Sequence, residues 1–312
     1  MPHYWSSFIP TVGLMRSVLT LIANPQTRKL SQADLDAVRR AVPEAGAPAW
    51  LATDTACDLL VDINPDELHA IEAAARAALD GTPIDIIAQG TDHRRKALLL
   101  ADMDSTVIEQ ECIDELAAEA GIGAHVAEIT ERAMRGELAF EPALRERVKL
   151  LEGLAEGKLE QVFETRITLS PGIKTVTATM RLAGGYCALV SGGFTFFTSR
   201  VAVVAGFDTN RANTLKIKDG HLTGEVSNPI LGRAAKLETL KQLATEHKLT
   251  LDNTMAVGDG ANDLAMIEAA GLGVAYHAKP VVAQAAPARL DHTDLTSLLY
   301  IQGYARDEFA SV

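Results

Sequence analysis

The sequence has little cysteine, no excess of positive charge and no long apolar run, and each shortage removes a class of protein. Its three cysteines, Cys57, Cys112 and Cys187, lie far apart in no Cys-x-x-Cys or Cys/His ligand spacing. That excludes a disulfide framework and a structural zinc site, and leaves reduced thiols in a cytoplasmic protein as the expectation. There are 41 acidic side chains against 29 basic ones, a formal charge of -12. Without a concentrated basic patch such a chain repels phosphate backbones and anionic lipid, so neither nucleic acid nor a membrane is expected as a partner. No apolar stretch approaches the ~18 residues of a spanning helix. Residues 18–23, behind Arg16, are too few for the apolar core of a signal peptide and read as a buried strand.

What is present fits a globular protein. A hydrophobic fraction of 47% with 22% charged residues excludes wholesale disorder and coiled coil. At roughly 150 residues per domain the length suggests about two domains, with chain enough to bury a core without staples. There is no internal repeat. Residues 1–14 lack periodicity and are expected to be an irregular lead-in. Residues 15–90 read as an α+β unit in the order β-α-β-β-α-β, a ferredoxin-like arrangement. Ser31 caps its first helix, with Asp34 in the first turn, and Asn64-Pro65 opens its second. The polar, basic residues 91–96 suit a linker. In 97–312, short apolar runs at 97–101, 186–190, 254–257 and 273–276 alternate with helices, predicting a doubly wound α/β core around a parallel sheet. Residues 107–170 are helical and too long for one crossover, so they are expected to form a cap over one end of the sheet. Asp219-Gly220 between two extended runs predicts a hairpin.

Ligands of open α/β sheets sit beyond the carboxyl ends of the strands. Three of the four strands end in unusual polar segments: Asp102-Met-Asp104-Ser-Thr, Ser191-Gly192-Gly193, and Gly258-Asp259-Gly-Ala-Asn262-Asp263. Each has a plainer explanation. Asp102 and Asp104 are common helix caps, and the glycine-bearing segments are common turns. Four aspartates gathered on one rim would nevertheless repel without a cation, and an all-oxygen donor set suits Mg2+. Lys236, early in a helix, opposes the macrodipole there and is better placed to neutralise a phosphoryl group.

These four motifs, in this order, resemble those of the haloacid dehalogenase-like phosphatases. The segments Glu111-Cys-Ile-Asp-Glu, Phe140-Glu-Pro-Ala-Leu-Arg-Glu-Arg147 and Ser191-Gly-Gly-Phe194 resemble the branch that acts on O-phosphoserine, and residues 15–90 resemble an ACT-type domain. The resemblance implies Asp102 as nucleophile and Asp104 as general acid and base. It implies Mg2+ on Asp102, Asp259 and the Asp104 carbonyl, with Asp263 one layer further out. Ser191, Gly192, Gly193, Lys236 and Asn262 would hold the phosphoryl group. In the cap, Glu111 would take the substrate ammonium and Arg147 its carboxylate, beneath Met134 and Phe140. Without the resemblance, Arg147 reads as a solvated charge on a helix. Serine feedback and a homodimer are further expectations. The rival readings are a phosphatase or phosphotransferase of the same fold on another small phosphate ester, or a serine-sensing protein on an inactive scaffold.

Overall fold

The apolar run at 18–23 is the centre of a longer strand, β1 (Met15–Ala23), in a computed structural model that describes residues 15–134 and 137–312, with backbone alone at 133 and 134. The lead-in expected over 1–14 lies outside the described residues. The chain divides into two units, Met1–Arg94 and Arg95–Val312.

In the first unit β1 is followed by α1 (Gln32–Ala41), β2 (Pro48–Ala52), β3 (Ala56–Ile63), α2 (Leu68–Ala78) and β4 (Ile84–Gly90). Ser31 caps α1 as the sequence predicts, and the Asp34 carboxylate closes the capping box by accepting from Ser31 N at 2.9 Å. The strands form an antiparallel sheet in the order β2-β3-β1-β4. Alternation along the strands sends Leu19, Leu21, Leu59 and Ile86 to the face that packs Leu35 and Val38 of α1. Two residues of the basic run behind β4, Arg94 and Lys96, are anchored. Arg94 forms a two-pronged pair with the buried Asp58, at 2.6 and 2.8 Å, and also donates to Thr20. Lys96 belongs to the second unit, where its ammonium donates to the Asp252 carbonyl at 2.7 Å.

The second unit contains β5 (Leu98–Ala101), then α3 (Cys112–Glu119), α4 (Gly123–Met134), α5 (Phe140–Lys149) and α6 (Gly157–Arg166). It continues with α7 (Ile173–Leu182), β6 (Tyr186–Phe194), α8 (Thr195–Ala205), β7 (Thr209–Asn213), β8 (Leu215–Lys218) and β9 (His221–Val226). It ends with α9 (Arg233–Glu246), β10 (Thr254–Gly258), α10 (Leu264–Ala269), β11 (Leu272–Tyr276), α11 (Pro280–Ala285), β12 (Ala288–Leu290) and α12 (Ser297–Ile301). The sheet is parallel throughout, in the order β12-β11-β10-β5-β6-β7. Its central strands are apolar because both faces are covered: Leu98, Leu100, Val190 and Ala256 pack on α9 and α10 through Leu240 and Ile267.

The order reverses at β5. The chain runs outward to β6 and β7 on one side and to β10, β11 and β12 on the other, so a crevice opens beyond the carboxyl end of β5. Helices α3 to α6 are inserted there as the cap. Its two connections pair with each other: Ile108 bridges Leu169, with Glu109 N donating to Thr168 O at 3.1 Å and Ser170 N to Val107 O at 2.9 Å. The hairpin β8–β9 turns on Asp219 and Gly220, at φ 49° and 74°, the geometry that an Asp-Gly pair favours.

Removing one member of a buried ion pair strands the other, at a cost of about 3–5 kcal/mol. Arg94→Ala is therefore expected to lower the urea midpoint of the transition reporting the first unit. A loss under about 1 kcal/mol would show that the pair behaves as an exposed one.

Candidate active site

The turn after β5 is built to hold two aspartates in different directions. Asp102 N donates to Val257 O at 3.0 Å, which joins the ends of β5 and β10. Asp102 Oδ1 accepts from Met103 N at 2.7 Å, while Oδ2 lies 2.8 Å from the Lys236 ammonium. Ser105 then takes a left-handed conformation, φ 55°, sparsely populated outside glycine and common at functional turns. Its hydroxyl donates to Glu111 at 2.8 Å. Asp104 points to the next segments: Oδ1 accepts from Cys112 N at 2.8 Å and Oδ2 from the Ser191 hydroxyl at 2.8 Å. The helix-cap explanation thus describes part of the structure, since Asp104 does cap α3.

Lys236 is 1% exposed and sits between two carboxylates, at 2.8 Å from Asp102 and 2.6 Å from Asp263. Burial opposes its charge, but the two aspartates outweigh burial and hold the ammonium protonated. Asp263 is fixed from its other side by Gly260 N at 3.0 Å. Burial first, and then the charge of Asp263, push the Asp102 carboxyl up against the pull of Lys236. Burial and Asp263 also push Asp259 up to about 6. Oxygens of Asp102, Asp259 and Asp263 all lie within 4.8 Å of one another. Three carboxylates surround one ion-paired ammonium, with Lys279 a further cation acting on Asp259, and Asp104 adds to the carboxylate charge, so negative charge is in excess. A set of carboxylate oxygens in that condition fits a hard divalent cation.

Several of the remaining sequence-predicted residues border this cluster. Gly193 N donates to Ser191 Oγ at 2.7 Å. A Cβ at Gly193 would stand 2.7 Å from Asp104 Oδ2, so the contact between the two segments requires glycine there. Phe140, at the start of α5 and 36% exposed, lies over Gly192 and Gly232, where added Cβ atoms would come within 3.1 and 3.2 Å of its ring. Asn262 occupies the turn between Asp259 and α10, against Gly260. Met134 ends α4, and its side chain is outside what is described.

Arg147 is half-buried. Among the described residues it makes one hydrogen bond, a 3.3 Å donation to Ala143 O in its own helix. Its charge acts on Asp114, Glu111 and Asp104. Burial, then the charge of Asp104, pushes Glu111 up to about 7. Two charged residues here were not singled out from the sequence. Asp114 lies three positions after Glu111, on the same side of α3, and that spacing is the signal that could have found it. Lys279 acts on Glu111, Asp114 and Asp259, and its backbone N donates to Asp259 O at 3.1 Å; no motif marks it.

Residues 99–268 match the model of the haloacid dehalogenase-like hydrolases, and the chain belongs to that family. It is 39% identical over 299 residues to a phosphoserine phosphatase of Streptomyces coelicolor, covering 95% of this chain and 72% of that one. It is 47% identical over 206 residues to the phosphoserine phosphatase of Streptococcus thermophilus, covering 66% of this chain and 95% of the relative. Among solved structures, a family hydrolase from Salmonella enterica serovar Typhi superposes with a TM-score of 0.80 at 29% identity, over 94% of this chain and 99% of that one.

A carboxyl whose folded pKa lies above its unfolded value loses stability for the protein as pH rises through that window. For Glu111 the window runs from 4.5 to about 7. Glu111→Gln removes the penalty, so it is expected to raise the melting temperature by a few degrees at pH 8 and to have little effect at pH 4. An equal gain at both values would assign the effect to packing.

Proposed function

We propose that the chain is a phosphoserine phosphatase, hydrolysing O-phosphoserine to serine and phosphate through a phosphoryl group carried on Asp102. The observation that carries this reading is the buried Asp102–Lys236–Asp263 cluster, joined by Asp259, at the point where the sheet order reverses. Phosphatase names on relatives spanning 95% and 66% of the chain support the same reaction.

In this reading Asp102 attacks phosphorus in line with the serine oxygen, which leaves as the P–O bond breaks. Asp104, two residues on, protonates that oxygen and then takes a proton from the water that cleaves the acyl-phosphate. Both hydrogen bonds of the Ser191 hydroxyl, to Asp104 and from Gly193 N, are exchangeable for bonds to a phosphoryl oxygen. Lys236 balances the nucleophile in the free protein and the phosphoryl oxygens once substrate enters. Asp102, Asp259 and the Asp104 carbonyl would hold Mg2+, with Asp263 orienting Lys236 behind them. When bound, Mg2+ offsets the excess carboxylate charge and polarises the phosphoryl group.

Substrate choice follows from two charges, Arg147 and Glu111, that form no ion pair among the described residues. A guanidinium whose one hydrogen bond is 3.3 Å long is available to grip a carboxylate with two parallel bonds. A carboxyl held up at about 7 by burial and Asp104 gains from an incoming ammonium. Arg147 and Glu111 together suit a small zwitterion attached to the phosphate.

Two measurements test this. Asp102→Asn is expected to abolish turnover while leaving the folded state intact, and EDTA to abolish turnover of the wild type until Mg2+ is restored; wild-type rates in the variant would exclude covalent catalysis through Asp102. Arg147→Ala is expected to reduce kcat/KM for phosphoserine by about 100-fold, the loss of a buried charged contact, while an aryl phosphate is cleaved at nearly the original rate. Equal loss on both substrates would place Arg147 in the phosphate pocket or the fold, and another phosphate ester outperforming phosphoserine would favour the rival reading.

A further inference from the structure

The turn Ser191-Gly192-Gly193 stands outside the ladder that holds the rest of β6. Strand β6 pairs with β7 at Val190↔Arg211 and again at Phe194↔Asn213, so three residues of β6 face one of β7. A bulge of this kind leaves backbone groups without ladder partners, and buried ones need a substitute. The Gly192 carbonyl finds one in a side chain, accepting from Asn213 Nδ2 at 2.8 Å. The same nitrogen donates to Leu231 O at 3.1 Å, and Asn213 Oδ1 accepts from Leu231 N at 2.7 Å. An asparagine amide has two donors and one oxygen. All are engaged here, in a residue only 2% exposed.

Leu231 directly precedes Gly232, the capping residue of the helix that carries Lys236. One amide therefore ties the segment presenting Gly192 and Gly193 to the segment that launches Lys236. It also brings together the two glycines over which Phe140 of the cap lies. Gly232 has an ordinary extended conformation, φ -119°, so space for Phe140, not backbone geometry, accounts for glycine there.

We propose that Asn213 is a positioning residue of the phosphoryl pocket, setting the Gly192–Gly193 amides against the Lys236 ammonium and pairing Gly192 with Gly232 as the seat of Phe140. The inference rests on the reading of that turn as phosphoryl-binding. Donors aimed at a developing charge work only at fixed positions, and displacement of about 1 Å can cost about 100-fold. Asn213→Asp is the smallest change that breaks the device. It keeps the acceptor for Leu231 N and sets an oxygen against two carbonyls.

The test uses the full chain with Mg2+, an aryl phosphate as substrate and inorganic phosphate as competing ligand. Asn213→Asp is expected to raise the inhibition constant of phosphate and lower kcat, each by about 10-fold or more, on aryl phosphate and phosphoserine alike. Asn213→Ser provides a second variant, since it removes the reach to both segments without adding charge. Asn210→Ala is the control: Asn210 lies on the same strand and accepts from Thr198 of α8 at 2.9 Å, so its loss reports a stability cost alone. Phosphate inhibition and kcat in folded Asn213 variants that match Asn210→Ala would overturn the proposal. So would failure of both Asn213 variants to fold, which would make the residue one of stability. A poor preference for phosphoserine in the wild type would count against the proposed substrate and leave this inference standing. Absence of phosphate inhibition in the wild type would remove the phosphoryl pocket and the role of Asn213 with it.

Discussion

The architecture of the second unit is organised around a lysine ammonium with almost no contact with water. Burying an unpaired charge costs several kcal/mol, and pairing must offset that cost with good geometry. Lys236 achieves it only because two carboxylates from remote stretches of chain reach it, at 2.8 and 2.6 Å. Asp102 arrives at the end of β5, Asp263 follows β10, and Lys236 rises from the first turn of α9. Adjacent positions for β5 and β10 and a helix packed across them are what such a meeting demands. The same requirement explains why Asp263 is fixed from behind by Gly260 N: a carboxylate free to turn would leave the lysine half-paired.

Overcompensation is what suits this cluster to the proposed chemistry and not to stability alone. A salt bridge evolved for stability alone would balance one charge with one charge. Here Asp259 is added within reach of the others and has burial and Asp263 against it. Its carboxyl is therefore held where a cation is the favourable partner. The cap extends the pattern. Glu111 stands at the start of α3 and is tied back to Ser105 in the turn after β5, whereas Phe140 and Arg147 belong to α5. The recognition groups of the proposed substrate thus come from two helices of the cap, one of them tied to the turn after β5. The α5–α6 corner is itself attached to the hairpin, where Gly153 N donates to Leu222 O at 2.9 Å and Glu156 N to Gly220 O at 2.8 Å. The cap is consequently held both at its paired neck and at β9.

Central strands were legible in the sequence because burial on both faces leaves a continuous apolar run, and the polar residues that end them then marked the crevice. The edges were not. Strand β7 reads Thr-Asn-Arg-Ala-Asn, with most positions half-buried, and β12 has three residues, so neither carries that signature. The hairpin was legible because its turn demands two positive φ angles, which Asp219-Gly220 accommodates. Arg147 could not be placed by pattern alone. In a run of charged residues it resembles its solvated neighbours, and only the packing of α5 against the rest of the unit separates it from Arg145, which pairs with Glu141 on the surface. Residues 91–96 suit a linker by composition, and within them Arg94 and Lys96 are anchored by partners remote in sequence, which no pattern shows.

Asn213 shows why a site motif is only part of a site. Gly192 and Gly193 are recognisable because glycine is required where backbone approaches a ligand or another segment closely. That same absence of side chains leaves Gly192 with no side chain of its own to hold it in place. Its rigidity must come from elsewhere, and a buried amide that joins the bulge to the segment before α9 provides it while its own hydrogen-bonding capacity is filled. Preorganised donors contribute to catalysis in proportion to how little they move when charge develops. A residue with no ligand contact, on a strand that no motif marks, is therefore positioned to govern how well the recognisable residues work.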